Sequence, residues 1–241
     1  MTRKDWTTMR PVLRDVVVTA REHLTEHMLR LHLSGDDLTP TVHDAPGAWV
    51  KLFAPQPDGS EHGRAYTVRG HDPFRDEITV DVFLHPGGTM PRWASECRVG
   101  SPARIAGPRG GGADGRHADA LALFADETAL PALAAILERE NHVRHGRPVR
   151  AVIEVGDERD RQELAAPKHA EIVWLIRESG EAPGTRLAAA THMLDIHPGS
   201  AAWFAAEASA AREARRALRE RELASLHVQG YWRAGVGDYR D

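Results

Sequence analysis

The sequence of 241 residues contains a single cysteine, Cys97. One thiol cannot form an intramolecular disulfide, and it cannot supply the ligands of a Cys-cluster zinc site or an iron–sulfur cluster, so these sites are excluded. Lysine is also scarce, because Arg supplies all but three of the 31 positive side chains. The 35 acidic side chains outnumber the basic ones and give a formal net charge of −4. Without a basic excess, the chain is not expected to bind nucleic acid.

Long apolar runs are absent as well. Nowhere do about 18 apolar residues follow one another, and no apolar segment follows the charged N-terminal residues. We therefore expect a soluble, cytoplasmic protein without membrane insertion. The hydrophobic fraction of 41% and the charged fraction of 27% predict a globular chain. At about 150 residues per domain, the length allows one large domain or two modest ones.

The first half of the chain alternates apolar and polar residues with a period of two. Leu29, Leu31 and Leu33 form one such run, and 78–84 form another. This spacing is typical of half-buried antiparallel strands, and clusters of Gly, Pro, Asp and Ser separate the runs. From about 11 to 108 the sequence therefore predicts an all-β barrel or sandwich.

After a Gly-rich stretch at 109–115, the pattern changes to strands that alternate with helices. This alternation predicts a mostly parallel sheet, which binds ligands at the carboxyl ends of its strands. The Gly-rich stretch is the predicted domain boundary. The predicted strands are Leu121–Phe124, Val149–Val155, Ile172–Ile176 and Ala201–Ala205, and the predicted helices are Thr128–His145, Thr185–Leu194 and Glu207–Glu222.

An alternating segment at 64–69 combines basic and aromatic residues. Strand geometry places Arg64, Tyr66 and Val68 on one face and Thr67 and Arg69 on the other. An Arg and an aromatic ring two residues apart can bind a phosphate and stack on a planar group together. An ordinary strand is the alternative.

Two further segments carry candidate helix starts. His85 is followed by a Gly-Gly turn and a predicted short helix with Pro91 in its first turn, where free N–H groups suit a pyrophosphate. The segment 125–131 follows a predicted strand and opens a helix, with Asp126 or Thr128 as its cap. A doubly wound domain holds its nucleotide there, although no G-x-G-x-x-G is present. A plain capped turn is the alternative for both.

Taken together and in this order, the segments resemble the siderophore-interacting protein family of ferredoxin reductase-like flavoproteins. The resemblance covers nearly the whole chain. It rests on Arg64-x-Tyr66-Thr67-x-Arg69, His85, Arg92-Trp93-Ala94, Gly107-Pro108-Arg109-Gly110, Asp126-Glu127-Thr128-Ala129-Leu130-Pro131-Ala132 and Gly230-Tyr231-Trp232-Arg233-Ala234-Gly235.

The resemblance implies an N-terminal antiparallel Greek-key β-barrel that binds FAD, at 1–112, and a mostly parallel α/β domain that binds NAD(P)H, at 113–241. It implies transfer of a hydride from NADPH or NADH to FAD, and then reduction of a ferric siderophore to release Fe(II). A ferredoxin-type protein is an alternative electron donor. No metal ion is expected as a resident cofactor.

The resemblance also implies roles for individual residues. Arg64 would hold the FAD phosphates. Tyr66 would stack on the flavin and Thr67 would form a hydrogen bond near its N5 edge, and these two are the predicted catalytic residues. Ala125 stands where the family usually has Gly, and its methyl group is expected to crowd the nucleotide. The other FAD contacts would be Val68, Arg69, His85, Gly88, Thr89, Met90 and Trp93, and the nicotinamide side would be Asp126, Glu127, Thr128, Ala129 and Glu207.

Capture of the substrate requires local positive charge, because many ferric siderophores are anionic and the chain is net negative. The candidates are Lys51 in a predicted strand, Arg109 after the last barrel strand, and Arg233 beside Trp232. The alternative is that each is an ordinary surface residue.

Other functions remain open at this point. A flavin reductase could serve a quinone or a protein redox partner, and a siderophore-binding protein would need no turnover. The segment His23-Leu24-Thr25-Glu26-His27 matches the H-x-x-E-H motif of zinc peptidases, which requires a helix. The alternating leucines that follow favour a strand instead.

Overall fold

The computed structural model describes residues 12–36, 38, 46–111, 115, 117–143, 146–236 and 239. The chain divides into two compact units. The barrel unit is Met1–His23 with Met28–Gly112, and the sheet unit is Leu24–His27 with Ala113–Asp241. Within the Gly-rich stretch where the domain boundary was predicted, residues 112–114 lie outside the described residues.

Six antiparallel strands of the barrel unit close into a barrel in the order β1-β2-β5-β4-β3-β6. The predicted alternation places Leu29, Leu31 and Leu33 inside, each 0% exposed. The prediction of an N-terminal antiparallel barrel is therefore confirmed. The strands are β1 (Leu13–His23), β2 (Met28–Ser34), β3 (Ala48–Pro55), β4 (Glu61–Asp72), β5 (Glu77–Phe83) and β6 (Pro102–Gly110).

Strand β4 changes its hydrogen-bonding partner halfway along its length. Its first half pairs with β3 as far as Thr67, and its second half pairs with β5 from Val68 onwards. Among the described residues, the 64–67 stretch of β4 thus has no ladder partner on its β5 side. Helix α1 (Thr89–Glu96) packs against both β4 and β5. Its position and its early Pro91 agree with the prediction of a short helix.

The sheet unit has five parallel strands in the order β11-β10-β7-β8-β9. Helix α2 packs on one face, and α3 and α4 pack on the other. The prediction of a mostly parallel α/β fold is confirmed, but strand β11 was not predicted. The elements are β7 (Leu121–Ala125), α2 (Leu130–Asn141), β8 (Val149–Val155), β9 (Glu171–Ile176), α3 (Thr185–Met193), β10 (Ala201–Glu207), α4 (Ala208–Arg219) and β11 (Ser225–Trp232).

Two predicted helices were too long at both ends. Helix α2 begins at Leu130 and not at Thr128, because the backbone N–H groups of Thr128 and Ala129 bind the Asp126 carboxylate in the preceding turn. It ends at Asn141. Helix α4 begins after Glu207, which is its N-cap. No helix within the described part of the chain is long and apolar enough to cross a membrane.

Candidate functional site

The first half of β4 presents its side chains as the sequence predicts. Arg64 lies opposite Leu52 and Tyr66 opposite Val50 in the antiparallel register, so these side chains share the core-facing side of the strand. Thr67 lies opposite Trp49 on the other side. The register shifts between Val68 and Gly70, so the regular alternation does not continue to Arg69.

Tyr66 packs against the barrel core while remaining partly exposed. Burial raises the pKa of its hydroxyl, although the nearby Arg64 guanidinium opposes the shift. The phenol therefore stays neutral at physiological pH. Thr67 is buried, with 7% of its surface exposed.

The start of helix α1 lacks the usual side-chain cap. Its N-cap is Gly88, which has no side chain, and the first turn contains no acidic residue. Within the described part of the chain, no side chain is seen to bond the N–H groups of this turn. A Cβ atom at Gly88 would lie 2.7 Å from His85 Cε1 and 2.8 Å from Pro91 Cδ, so a larger residue would disturb this turn. Backbone N–H groups at such a start, aided by the helix dipole, can bind an anion.

These features of the barrel unit fit FAD. The 64–67 stretch of β4 has no ladder partner on its β5 side among the described residues and carries the Tyr66 ring, and the Arg64 guanidinium and the start of α1 are groups that suit phosphates. Trp93 of α1 packs against the same core as Tyr66. Four of the residues predicted to bind FAD, namely Tyr66, Val68, Met90 and Trp93, therefore contribute to one cluster of the barrel unit.

Lys51 and Arg109 lie on adjacent strands of the barrel unit. Trp49 pairs with Arg109 in the β3–β6 register, and the guanidinium carbon lies 5.7 Å from the Trp49 ring centroid. The Lys51 ammonium lies 5.3 Å from the Phe53 ring centroid. Both contacts are within the range of cation–π attraction. Arg109 is exposed and Lys51 is partly exposed.

In the sheet unit, the predicted nicotinamide-side residues follow β7 and end β10, at the carboxyl edge of the sheet. Asp126 is fully buried, and its Oδ1 accepts hydrogen bonds from the backbone N–H groups of Thr128 (2.9 Å) and Ala129 (3.2 Å) and from the Thr128 hydroxyl (2.6 Å). Its Oδ2 accepts a bond from the Trp232 indole N–H at 2.8 Å. Burial and the neighbouring Glu127 raise the pKa of Asp126 to about 6.

Glu127 belongs to an ion cluster that the sequence did not predict. The Arg177 guanidinium bonds both Glu127 and Glu154, and the Gly156 N–H donates to Glu127 Oε1 at 2.8 Å. Glu154 also accepts bonds from the N–H groups of Gly184 (2.6 Å) and Leu187 (2.9 Å) at the start of α3. Burial disfavours the guanidinium charge, but the hydrogen bonds and charges of both carboxylates raise the pKa of Arg177.

Glu207 caps helix α4. Its Oε2 accepts bonds from the N–H groups of Ser209 and Ala210, the latter at 3.2 Å, and its Oε1 accepts a bond from the Ala234 N–H at 3.3 Å. The helix starts of the sheet unit thus meet buried carboxylates, whereas the start of α1 does not. Of these helix starts, the start of α1 is therefore the most favourable place for the phosphates of FAD.

The methyl group of Ala125, which was expected to crowd the nucleotide, lies inside the sheet unit. The residue is 0% exposed and belongs to the core cluster under α2, so its side chain packs in the protein interior.

The predicted C-terminal motif lies at the end of β11. Trp232 bonds Asp126, as described, and Arg233 is exposed. Tyr231 contacts the Trp203 ring edge-on at a centroid distance of 6.5 Å and packs against the same cluster as Ala125.

The H-x-x-E-H segment is not helical. His23 ends β1, the next four residues form a bend, and β2 begins at Met28. His27 Nδ1 lies 3.0 Å from both carboxylate oxygens of Asp160. Within the described residues, no group of three or more His, Cys, Asp or Glu side chains is arranged to hold a metal ion.

Comparison with known proteins identifies the family. The model of the Siderophore-interacting FAD-binding domain matches residues 56–112, and the Siderophore-interacting protein model matches residues 118–235. The crystal structure of a siderophore utilization protein from T. fusca is 32% identical with a TM-score of 0.84, and the match covers 96% of this chain and 97% of that one. The chain belongs to the siderophore-interacting protein family.

Two other relatives extend this result. Ferric vibriobactin reductase ViuB of Vibrio cholerae is 28% identical, over 95% of this chain and 91% of its own. The ferredoxin reductase of carbazole 1,9a-dioxygenase is 17% identical with a TM-score of 0.73, over 93% of this chain and 70% of that one, and shares the fold. The barrel unit therefore carries the family's FAD-binding domain, and the predicted ferredoxin reductase-like architecture is confirmed.

Sequence reasoning missed Arg177 and Glu154. They are distant in sequence from Glu127, and only the parallel register of β7, β8 and β9 brings the three strand ends together. A charged residue at the end of each parallel strand is the signal that could have located the cluster.

Proposed function

We propose that this protein is an NAD(P)H-dependent, FAD-containing reductase of ferric siderophores, acting in the cytoplasm. The observations that carry the proposal are the 64–67 stretch of β4, which has no ladder partner on its β5 side among the described residues, and a start of α1 whose N-cap is glycine, in a chain of the siderophore-interacting family. The relative named as a ferric vibriobactin reductase supports the same reaction class.

When bound, FAD supplies the chemistry that couples a hydride donor to a one-electron acceptor. One NAD(P)H provides two electrons and one proton is released, so two Fe(III) chelates are reduced to Fe(II). Ferrous iron binds hard oxygen chelators less tightly than ferric iron, and reduction therefore releases it from the siderophore.

The barrel unit orients the cofactor. Arg64 neutralises phosphate charge, Tyr66 stacks against the ring system, and Thr67 donates a hydrogen bond at the reactive edge. The backbone N–H groups of Thr89 and Met90 at the start of α1 bind the pyrophosphate. The turn before α1 contains His85 and Gly88, and α1 itself contains Trp93. Val68 and Arg69 of β4 complete the set of residues that we assign to FAD.

The sheet unit takes the electron donor. Asp126, Glu127 and Glu207 have partners within the unit, so they shape the carboxyl edge of the sheet while Thr128 and Ala129 lie beside it. NADH and NADPH are the donors to compare, with a ferredoxin-type protein as a third candidate.

The ferric chelate is recognised through positive charge. Lys51 and Arg109 of the barrel unit, and Trp232 and Arg233 of the sheet unit, are the residues that we assign to this role. Arg109 and Arg233 are exposed, so their charges can act on an anion in solution.

The spectrum of the purified protein tests the flavin and the donor together. We expect a yellow protein whose flavin absorbance bleaches under anaerobic conditions with NADH or NADPH. A colourless protein that takes up no added FAD would contradict the proposal. Bleaching only with a reduced ferredoxin would identify a ferredoxin-type protein as the electron donor, and the rest of the proposal would be unaffected.

A further inference from the structure

Two buried carboxylates of the sheet unit each connect a helix start to the C-terminal end of β11. Asp126 uses Oδ1 for the turn that leads into α2 and Oδ2 for the Trp232 indole. Glu207 uses Oε2 for the start of α4 and Oε1 for the Ala234 N–H. Each carboxylate therefore holds two separate segments of the chain.

The segment that they hold is Trp232–Val236, which we call the C-terminal turn. The Val236 N–H donates to the Arg233 carbonyl at 3.1 Å and closes the turn. Arg233 lies between the two anchored residues, Trp232 and Ala234, while its own side chain is exposed. Its backbone is thus fixed on both sides and its charge faces solvent.

The local geometry of β11 produces this arrangement. The β10–β11 register pairs Ala206 with Gly230 and then Glu207 with Trp232, so Tyr231 is an extra residue in β11. Such a bulge changes the direction of the side chains that follow it. A Cβ atom at Gly230 would lie 3.1 Å from Ala208 Cα, which shows how closely β11 approaches the start of α4.

Burial makes the two anchors costly to lose. Asp126 is 0% exposed and Glu207 is 4% exposed. Hydrogen bonds that a buried carboxylate accepts offset the cost of removing it from water, and bonds to an ionised acceptor are stronger than neutral ones. Neither carboxylate can release its partner in the C-terminal turn without losing part of this stabilisation.

We propose that Asp126 and Glu207 are positioning residues that hold Arg233 in place for the ferric chelate. The inference rests on the proposed function, which assigns Arg233 to that substrate. The two carboxylates act through Trp232 and Ala234. Because the turn is already ordered, the chelate does not lose affinity to the cost of ordering it.

Amide substitutions separate the two bonds of each carboxylate. In Asp126→Asn the side-chain oxygen can still accept from Thr128 and Ala129, whereas the amide NH2 faces the Trp232 indole N–H and cannot accept from it. Glu207→Gln likewise keeps an acceptor for α4 and loses the bond from Ala234. Glu154→Gln is the matched control, since Glu154 is a buried carboxylate of the same edge that bonds Gly184, Leu187 and Arg177 instead.

Hydrogen exchange measures the anchoring directly, with no need for substrate. The Trp232 indole signal is identified by its loss in Trp232→Phe, which distinguishes it from the other five Trp residues. We expect Asp126→Asn to speed exchange of this indole N–H and Glu207→Gln to speed exchange of the Ala234 N–H. Glu154→Gln should change neither rate.

Binding of a hexadentate Fe(III) tris-catecholate measures the consequence. We expect Asp126→Asn and Glu207→Gln to raise its Kd about 3- to 10-fold each, as for loss of one hydrogen bond. In an Arg233→Ala background the same substitutions should add nothing, because their effect passes through Arg233. Glu154→Gln should leave Kd unchanged for the folded fraction.

Three results would overturn the inference: unchanged exchange at both N–H groups, unchanged Kd in both amide variants, or full additivity with Arg233→Ala. Failure of wild-type protein to bind the chelate would instead reject the proposed function and the substrate part of this inference with it. The exchange rates would then still decide whether the two carboxylates anchor the turn.

Discussion

The ionisation of Asp126 can be tested through the pH dependence of unfolding. Its carboxyl is buried next to Glu127, and its pKa is raised from 3.8 to about 6. A carboxyl group that binds its proton more tightly in the folded chain makes folding less favourable as pH rises between these two values. The ionised Asp126 carboxylate therefore lowers the free energy of unfolding at neutral pH, and this loss of stability is absent in acid.

Asp126→Asn should remove this loss of stability, because the amide does not ionise. We expect the free energy of unfolding of the variant, relative to the parent, to increase between about pH 4 and about pH 7 by on the order of 2 kcal/mol. Urea unfolding of both proteins at several pH values measures the difference, and the other carboxylates cancel because they are common to both. A difference that stays constant with pH would show that Asp126 does not titrate in this window.

Arg64 is the residue on which FAD affinity should depend most. A charge-assisted contact contributes roughly 1.5 to 3 kcal/mol, so we expect Arg64→Ala to weaken FAD binding by about 10- to 100-fold. Arg75→Ala is the matched control, because Arg75 is an exposed Arg in the turn between β4 and β5. Fluorescence titration of the apoprotein with FAD gives both affinities. Equal affinities in the two variants would remove Arg64 from the site.

At the scale of elements, the start of α1 makes the sharpest prediction. Thr89 is the first residue of this helix, and no acidic residue lies in its first turn. An acidic side chain there should stabilise the helix of the apoprotein by about 0.3 to 1 kcal/mol and yet repel the FAD pyrophosphate. Thr89→Asp should therefore raise the Tm of the apoprotein and weaken FAD binding.

Thr89→Asn separates charge from shape, since Asn and Asp have nearly the same size. We expect its FAD affinity to stay close to that of the parent. If Thr89→Asp and Thr89→Asn bind FAD equally well, the pyrophosphate does not lie at this helix start.

The elements also show what the sequence could and could not predict. The leucines of β2 and the run 78–84 identified their strands because each strand buries one apolar face with a period of two. Strand β11 was missed because its side chains are mostly half-buried and its pattern is interrupted by Gly230 and the bulge. Asp126 was a predicted cap, but helix α2 was placed too early because its carboxylate holds the N–H groups of Thr128 and Ala129 in a turn that comes before the helix.

The candidate site also combines features that local sequence predicts with contacts that depend on the topology of the sheet. Arg64, Tyr66 and the start of α1 are close in sequence to the strand and turn that position them, so local motifs located them. The contacts among Glu127, Glu154 and Arg177 depend on neighbouring parallel strands, and the link from Asp126 to Trp232 spans 106 residues. Such contacts follow from the topology of the sheet and not from any local pattern.

At the scale of the whole molecule, the net charge of −4 opposes the approach of an anionic chelate. Positive side chains that attract the chelate must act locally, and salt should weaken their effect as the Debye length falls from about 10 Å at 0.1 M to about 3 Å at 1 M. We expect Lys51→Ala and Arg233→Ala to raise KM for an anionic ferric siderophore and to flatten its salt dependence.

Lys168→Ala is the control for net charge, because Lys168 is exposed and its loss changes the charge of the molecule by the same amount as the loss of Lys51. Steady-state rates at several salt concentrations provide the comparison. If all three variants show the same KM and the same salt slope as the parent, neither Lys51 nor Arg233 attracts the substrate.

The stoichiometry of iron reduction tests the central claim most directly. Wild-type protein with bound FAD is mixed anaerobically with limiting NADH or NADPH and excess ferric siderophore, and a colorimetric chelator specific for Fe(II) traps the product. We expect two Fe(II) for each NAD(P)H oxidised, with no Fe(II) when FAD or the protein is omitted. Oxidation of NAD(P)H without trapped Fe(II) would contradict the account and assign the electrons to another acceptor.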